Sequence, residues 1–292
     1  MQAGDLTSAL HKYWGYDSFR PLQESIVGSL LDGRDTCVVM PTGGGKSLCY
    51  QLPALLSGRT AVVVSPLIAL MQDQAAQLAQ MGIPAAVLNS SVTAGDQASL
   101  IAKAQRGNYR LLYFSPERLA RADTMDWLQK VPIAFFAVDE AHCISEWGHE
   151  FRPEYRQLKK LRTSFPDHPI AAFTASATQR VRHDILSQLQ LRDPAKYIAS
   201  FHRPNLRYLI RECSAHEHQR MLVTTLRQHP DGSVIVYAPT IDSVMSTVSF
   251  LEGIGIPAFP FLFNMDAGER RGIVVVWISE VVRVFFLNIG FV

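Results

Sequence analysis

The residues of this sequence best suited to chemistry form a short glycine-rich stretch, "PTGGGKS" (Pro41–Ser47). Its three glycines lack a Cβ, so backbone N–H groups can close around phosphate oxygens. Lys46 can reach β- and γ-phosphates, and the Ser47 hydroxyl can ligate Mg²⁺. The predicted nucleotide-binding residues of this loop are Thr42, Gly43, Gly44, Gly45, Lys46 and Ser47.

The loop departs from the strict G-x-x-x-x-G-K-[ST] pattern, because Met40 stands where the first glycine is usual. That position falls at the end of the preceding strand and outside the phosphate cradle, so we expect the loop to keep its function. The residue types alone also allow a glycine-rich turn that binds nothing. A strand before the loop and a helix after it favour phosphate binding.

A second group of chemical residues ends the apolar stretch "IAFFAVDEAH" (Ile133–His142). Asp139, at the tip of a strand, can hold Mg²⁺ directly or through water. Glu140 can orient or activate an attacking water, and His142 can link this site to a moving element. Carboxylates also end strands in solvent without any role, but their position after a phosphate loop and a strand favours catalysis.

Short apolar runs alternate with helical patterns over the first 200 residues, which predicts an α/β fold. In such a fold a mostly parallel sheet carries helices on both faces, and ligands bind at the carboxyl ends of the strands. The predicted strands are Thr36–Met40, Ala61–Ser65, Ala85–Leu88, Arg110–Phe114, Ile133–Val138 and Ile170–Phe173. The predicted helices include Ser47–Leu56, Leu67–Met81 and Thr178–Leu189.

The chain is predicted to contain two domains joined by a linker. Residues 1–195 form the first domain, residues 196–210 the linker, and residues 211–292 an incomplete second domain with a divergent tail from about 261. The elements predicted in the second domain are Ser233–Tyr237, Thr240–Leu251 and Pro257–Phe261. With so few residues left, the second domain is smaller than the first.

Composition indicates a globular protein, since hydrophobic residues make up 48% and charged residues 18% of the 292. A net charge of +2 means that nucleic-acid binding would need local basic patches.

The four cysteines show no CxxC spacing and are predicted to be reduced, mostly buried thiols of a cytosolic protein. Ile273–Val292 is apolar enough to suggest a membrane span, but Glu280 and Arg283 near its centre argue against one.

The motifs together resemble a family. "DEAH" with "TGGGKS" is similar to superfamily 2 helicases, and "CISEWGHEFRPEYRQL" (Cys143–Leu158) is similar to the aromatic-rich loop of RecQ DNA helicases. The resemblance covers about residues 8 to 258 and implies a RecA-like fold followed by a partial second RecA-like lobe. Further matches in the family's order are "YDSFRPLQ" (Tyr16–Gln23), "VSPLIALMQDQ" (Val64–Gln74), "YFSPERL" (Tyr113–Leu119), "AFTASAT" (Ala172–Thr178) and "FHRPNLRY" (Phe201–Tyr208).

The first of these matches resembles an adenine-recognition motif. Tyr16 can stack on adenine, while Arg20 and Gln23 can hydrogen-bond its edge. An ordinary helix entry with a surface aromatic residue is the alternative on residue types alone.

The aromatic-rich loop has the residue types that bind single strands, because base stacking contributes about 1–3 kcal/mol per base and cations follow phosphates. Its predicted DNA-binding residues are Trp147, His149, Phe151 and Arg152. The same types allow a buried Trp–Phe pair with a solvated rim.

The resemblance further implies that His142, Thr174 and Ser176 link hydrolysis to DNA. A strand-end turn that caps a helix at Thr178 is the alternative for the last two.

The resemblance implies an ATP-dependent 3′-to-5′ DNA helicase of recombination and repair, with ATP and Mg²⁺ and with single-stranded and partially duplex DNA as partners. The implied location is cytoplasmic, at the nucleoid in a bacterium. The match fails after about 261, so we expect a truncated or frame-shifted second lobe and impaired activity. The alternatives are a non-catalytic module that binds ATP and DNA, and a membrane-tethered protein.

Overall fold

The computed structural model describes residues 3–88, 94–200, 205–214, 217–262, 265–266, 268–269, 272–273 and 282–288. The chain divides into two units, Met1–Asn205 and Leu206–Val292. Each unit contains its own parallel sheet.

The first unit is built on a seven-stranded sheet of order β3-β4-β2-β5-β6-β1-β7, with the described neighbours all parallel. Its strands are β1 (Thr36–Val39), β2 (Thr60–Val64), β3 (Ala85–Leu88), β4 (Leu111–Phe114), β5 (Ile133–Val138), β6 (Ile170–Thr174) and β7 (Ala195–Ile198). Each of the six predicted strands agrees with an observed strand to within one residue at either end. The α/β fold class is therefore confirmed.

Helices cover both faces of this sheet, as a buried parallel sheet requires. Alternate residues of β2 enter two separate cores: Val62 and Val64 join one, and Ala61 and Val63 join the other. The helices of the first unit are α1 (Ala3–Trp14), α2 (Gln23–Leu31), α3 (Lys46–Leu56), α4 (Ile68–Gln80), α5 (Ala94–Gln105), α6 (Pro116–Leu119), α7 (Ala122–Leu128), α8 (Lys160–Ser164) and α9 (Gln179–Gln188), with 3-10 turns at Ala141–Ile144 and Pro153–Lys159.

A buried carboxylate, Asp35, ties together the amino ends of three neighbouring strands. It accepts hydrogen bonds from the backbone N–H groups of Ile170 (2.9 Å) and Arg192 (2.6 Å). It also forms a buried ion pair with Arg162. Breaking a buried ion pair or its hydrogen bonds is costly, because it leaves a buried charge without a partner. The three contacts of Asp35 therefore fix the register of β1, β6 and the turn before β7.

Strand β7 begins at the last residue of the predicted first domain, Ala195, and its other three residues lie in the predicted linker. Its residues pair with β1 along its whole length, from Thr36 opposite Ala195 to Val39 opposite Ile198. Its side chains alternate between half-buried and exposed, because β7 is an edge strand. The predicted linker therefore begins with a strand of the first unit.

The second unit contains a three-stranded parallel sheet of order β8-β10-β9. Its elements are α10 (His218–Gln228), β8 (Val234–Ala238), α11 (Ile241–Gly253), β9 (Ala258–Phe261) and β10 (Val284–Asn288). Leu226, Val244 and Val248 pack from the helices against one face of this sheet. The two strands and the helix predicted for this unit are present.

Strand β10 comes from the tail that was expected to diverge. It is the central strand of its sheet, and Val284 and Phe286 are buried in the core. In the part of the chain that the structure describes, no helix is long and apolar enough to cross a membrane. Most of the apolar stretch that ends at Val292, including Glu280, lies outside the described residues.

Candidate nucleotide and nucleic-acid site

The glycine-rich loop connects β1 to α3, and its backbone conformation depends on glycine. Gly45 immediately precedes α3 with a φ of +81°, a region that other residues rarely adopt. A Cβ on Gly44 would lie 2.9 Å from the Pro41 carbonyl oxygen. The loop thus forms a tight turn in front of a helix N-terminus, where the helix dipole favours phosphate.

Met40, which replaces the usual first glycine, belongs to the strand end and not to the turn. Its side chain is buried in a core, and its N–H donates to the Thr174 carbonyl (3.0 Å). Its own carbonyl accepts a hydrogen bond from Lys46 Nζ (3.2 Å). Position 40 needs no glycine because the chain is still extended there. The ammonium group of Lys46 is held at the strand end by the Met40 carbonyl.

A cleft of about 740 Å³ beside the loop brings together the three residues predicted to recognise adenine. Tyr16 is half exposed at this cleft. Gln23 Nε2 donates to the carbonyls of Gly44 (3.2 Å) and Gly45 (3.3 Å), and Arg20 donates to the Gly43 carbonyl. Arg20 and Gln23 therefore brace the loop in this structure, and their contact with adenine stays a prediction.

Ser47 is positioned by a residue that the sequence pattern did not single out. Gln74 of α4 donates from Nε2 to Ser47 Oγ (3.2 Å), and its Oε1 accepts from Tyr50 Oη (2.9 Å). Gln74 lies within the family-like stretch that ends at this residue. However, nothing in its spacing shows that it faces the phosphate loop.

The two carboxylates after β5 have opposite electrostatic environments. Asp139 is buried, and burial raises its pKa to about 6, with a further contribution from the charge of Glu140. Glu140 adopts a left-handed φ of +46° and lies 3.3 Å from His142 Nδ1. That contact holds the pKa of the Glu140 carboxyl below its usual value. Adjacent residues with divergent pKa values are typical of catalytic sites.

The oxygen donors at this site suit Mg²⁺. Carboxylate and hydroxyl oxygens are hard ligands, and Asp139 and Ser47 supply one of each. One oxygen of Asp139 accepts the N–H of Glu140 (2.9 Å), which leaves the other free for a cation. A buried carboxylate whose charge is disfavoured gains from a nearby divalent cation.

His142 joins the acidic strand end to β6. Its Nδ1 lies 2.9 Å from Thr174 Oγ1, and that hydroxyl donates its single hydrogen to the Ser176 carbonyl (3.0 Å). The hydroxyl must therefore accept from His142 Nδ1–H, which fixes the tautomer. Ser176 contributes its carbonyl here, while Thr178 Oγ1 separately caps α9 by accepting from Val181 N–H (3.3 Å).

The aromatic-rich loop starts directly beside this histidine. The rings of His142 and His149 are stacked with centroids 4.2 Å apart. Gly148, which the sequence pattern did not single out, packs so closely that a Cβ there would lie 2.5 Å from the His142 carbonyl oxygen. Movement of the loop is thus coupled sterically to the backbone of His142.

Trp147 is 58% exposed, so the alternative of a buried Trp–Phe pair is wrong for this residue. The guanidinium of Arg180 stacks on its indole ring at 3.3 Å from the centroid.

Phe151 is half buried beneath Arg156 (5.1 Å). Arg152 pairs with Glu150 (2.5 Å) and donates to the Pro66 carbonyl (3.3 Å). The loop therefore presents aromatic and cationic groups together, next to the acidic site.

This combination of a glycine-rich loop after β1 and an acidic pair after β5 is typical of nucleotide-binding α/β proteins. A model of the DEAD/DEAH box helicase family matches residues 20–185. The match covers more than half of the chain, and the chain therefore belongs to that family.

Curated relatives confirm the resemblance to RecQ. The chain is 40% identical over 284 residues to the ATP-dependent DNA helicase RecQ of Haemophilus influenzae, covering 97% of this chain and 46% of the relative. It is 39% identical over 236 residues to the probable ATP-dependent DNA helicase RecS of Bacillus subtilis, covering 80% and 47%. The chain spans about half the length of these relatives.

Solved structures show the same fold at low identity. A structure of S. cerevisiae Dbp5 carrying L327V, bound to Gle1 and IP6, matches with a TM-score of 0.72 at 15% identity, covering 99% of this chain and 73% of that one. Mycobacterium smegmatis helicase Lhr bound to ssDNA and AMP-PNP matches with a TM-score of 0.66 at 16% identity, covering 98% and 42%.

Proposed function

We propose that this chain carries the ATP-hydrolysing and DNA-coupling part of a RecQ-type, ATP-dependent 3′-to-5′ DNA helicase of recombination and repair. One observation carries the proposal: His142 contacts the Glu140 carboxylate at 3.3 Å, forms a hydrogen bond with Thr174 and stacks on the ring of His149. The curated relatives named above are ATP-dependent DNA helicases, which supports this choice of reaction.

In the proposed reaction ATP is hydrolysed to ADP and phosphate. Lys46 stabilises charge on the transferred phosphoryl group, and Asp139 and Ser47 hold Mg²⁺, which supplies further charge neutralisation. Because Glu140 has a lowered pKa, it is ionised at neutral pH and a weak base, which suits it to orienting the attacking water. Arg20, Gln23 and Tyr16 would then contact the adenine.

The proposed partners are single-stranded and partially duplex DNA. Exposed Trp147 offers a surface for base stacking, and the cations around it suit phosphates. A strand that displaces this loop would move His142 and through it Glu140. The proposed location is the cytoplasm, at the nucleoid in a bacterium.

Two measurements on the whole chain test this function. Binding of a fluorescent ATP analogue with Mg²⁺ should be strong in the wild type and lost in Lys46→Ala. Steady-state ATP hydrolysis should rise with single-stranded DNA in the wild type and stay at the Lys46→Ala level in Glu140→Gln.

The two measurements separate the candidate functions. Nucleotide binding without ATP hydrolysis, either with or without DNA, would favour the alternative of a non-catalytic module. Equal nucleotide binding by the wild type and Lys46→Ala would refute both.

A further inference from the structure

A basic cleft of about 690 Å³ lies between α9 and the edge strand β7, on the first unit. We call it the α9 cleft; its polar lining residues are Gln179, Arg180, Arg182, His183 and Lys196. No carboxylate is among the described residues that line it. The sequence pattern had assigned no role to any of these residues.

The cations of the α9 cleft are not neutralised by neighbouring acids. In the described part of the chain, Arg180, Arg182 and Lys196 form no ion pair. The only carboxylate of α9, Asp184, accepts a hydrogen bond from Ser145 Oγ (2.5 Å). The cleft is therefore locally basic, whereas the whole chain carries only +2.

Two of these cations converge on one spot from different elements. Arg182 of α9 and Lys196 of β7 both line the cleft beside Cys37, and Lys196 lies directly opposite Cys37 in the pairing of β7 with β1. Lys196 is exposed and Arg182 half buried, so both can contact a ligand in the cleft.

The α9 cleft begins at the aromatic-rich loop. Arg180 lines the cleft and also stacks on Trp147, so the exposed indole and the cleft share one residue. Arg180 and Arg182 lie two residues apart at the start of α9, about 3 Å of helix rise, and β7 adds Lys196, so the cations extend from the indole across the cleft. An exposed aromatic residue followed by unpaired cations is the arrangement that binds a single strand: bases stack and phosphates follow.

We propose that the α9 cleft binds the sugar–phosphate backbone of single-stranded DNA that leaves the Trp147 platform. This inference rests on the proposed function and extends it by a second contact surface. An acidic peptide would suit the charge equally, but it would give no reason for the cleft to begin at an exposed indole.

The test is fluorescence anisotropy with a 20-nucleotide oligothymidylate and the whole chain. When the logarithm of the binding constant is plotted against the logarithm of salt concentration, each phosphate contact on a single strand contributes about 0.7 to the slope. One contact therefore corresponds to about fivefold in affinity at 0.1 M salt relative to 1 M. The double variant Arg182→Gln/Lys196→Gln should therefore bind about 25-fold more weakly, with a slope smaller by about 1.4. Lys196→Gln alone, at an exposed position, should bind about fivefold more weakly.

The matched control is Lys103→Gln/Arg106→Gln. It makes the same change of charge at exposed positions on and just after α5, by the β3 edge of the sheet, and should bind like the wild type. Trp147→Ala should weaken binding because it removes the indole, while Arg182 and Lys196 of the cleft remain in place.

The outcomes distinguish the two proposals. Wild-type affinity in both cleft variants, together with weak binding by Trp147→Ala, would overturn the α9 cleft and leave the proposed function standing. Failure of the wild type to bind the oligonucleotide would overturn both. If the cleft variants lost the binding of a polyglutamate peptide that the wild type shows, but bound oligothymidylate like the wild type, the cleft would be assigned to an acidic partner instead.

Discussion

Replacing Asp139 by asparagine should make the ligand-free protein more stable at neutral pH, although the residue is proposed to be catalytic. Burial raises the pKa of Asp139 from 3.8 to about 6, so its ionised form is disfavoured in the folded chain. Asparagine keeps an oxygen that can accept the Glu140 N–H and carries no charge. The variant therefore removes a buried charge and keeps the Glu140 N–H paired.

The size of the effect follows from the shift in pKa. A rise of about two units corresponds to a penalty on the order of 3 kcal/mol for the ionised carboxylate. The sign follows from linkage: below pH 3.8 Asp139 is protonated in both the folded and the unfolded chain, so the wild type and variant should have equal stability. As pH rises through about 6, the wild type loses stability relative to the variant.

Thermal unfolding at pH 8 and near pH 4 measures this difference. At pH 8 the variant should melt roughly 6–12 °C above the wild type for a unit of this size, and the gap should close near pH 4. Asp126→Asn, at an exposed position of α7, should show no comparable gain. A variant that is no more stable at pH 8, or a gain that does not change with pH, would refute the assignment of a buried, destabilising charge.

Three further predictions concern other parts of the structure. Gly45→Ala should lower the melting temperature and abolish binding of a fluorescent ATP analogue, because φ is +81° and the new Cβ would meet Gln23 Nε2 at 2.3 Å. Thr174→Val should leave nucleotide affinity unchanged but reduce DNA stimulation of ATP hydrolysis, and should cost about 1–3 kcal/mol because the hydroxyl that links His142 Nδ1 to the Ser176 carbonyl is lost. Phe286→Ala should destabilise the second unit by about 3–5 kcal/mol in chemical denaturation, because it removes a buried ring from the central strand.

Matched variants make these predictions specific. Gly28→Ala, in α2 with open space around it, should stabilise the protein by up to about 1 kcal/mol. Thr224→Val, at an exposed position of α10, should leave DNA stimulation intact. Ile235→Ala, at a half-exposed position of β8, should cost much less than Phe286→Ala. Full DNA stimulation in Thr174→Val would contradict the proposed link through His142.

The strands that the sequence predicted share one physical property. β1, β2 and β5 are buried on both faces, so they read as continuous apolar runs between polar turns. β7 was missed because an edge strand is only half buried, and its residues, "AKYI", resemble a linker beside a proline. β10 was missed because its apolar residues merge with the run before them, which conceals where a strand begins.

The candidate site was predictable where function requires consecutive residues. Pro41–Ser47 and the pair Asp139–Glu140 are visible in sequence because one turn and one strand end position them. Gln74 and Gly148 were missed because their roles arise from folding: one crosses from α4 to the phosphate loop, and the other packs on a backbone carbonyl. No local spacing encodes such contacts.

The two adjacent carboxylates explain how the proposed site can respond to both nucleotide and DNA. Burial disfavours the ionised form of Asp139, so under the proposed function this carboxylate would gain by holding the divalent cation that accompanies ATP. Glu140 is held by His142, which the aromatic-rich loop contacts through His149 and Gly148. Under the proposed function, nucleotide would be sensed at Asp139 and DNA at Glu140, and a shift of the loop would change the position of the attacking water through His142.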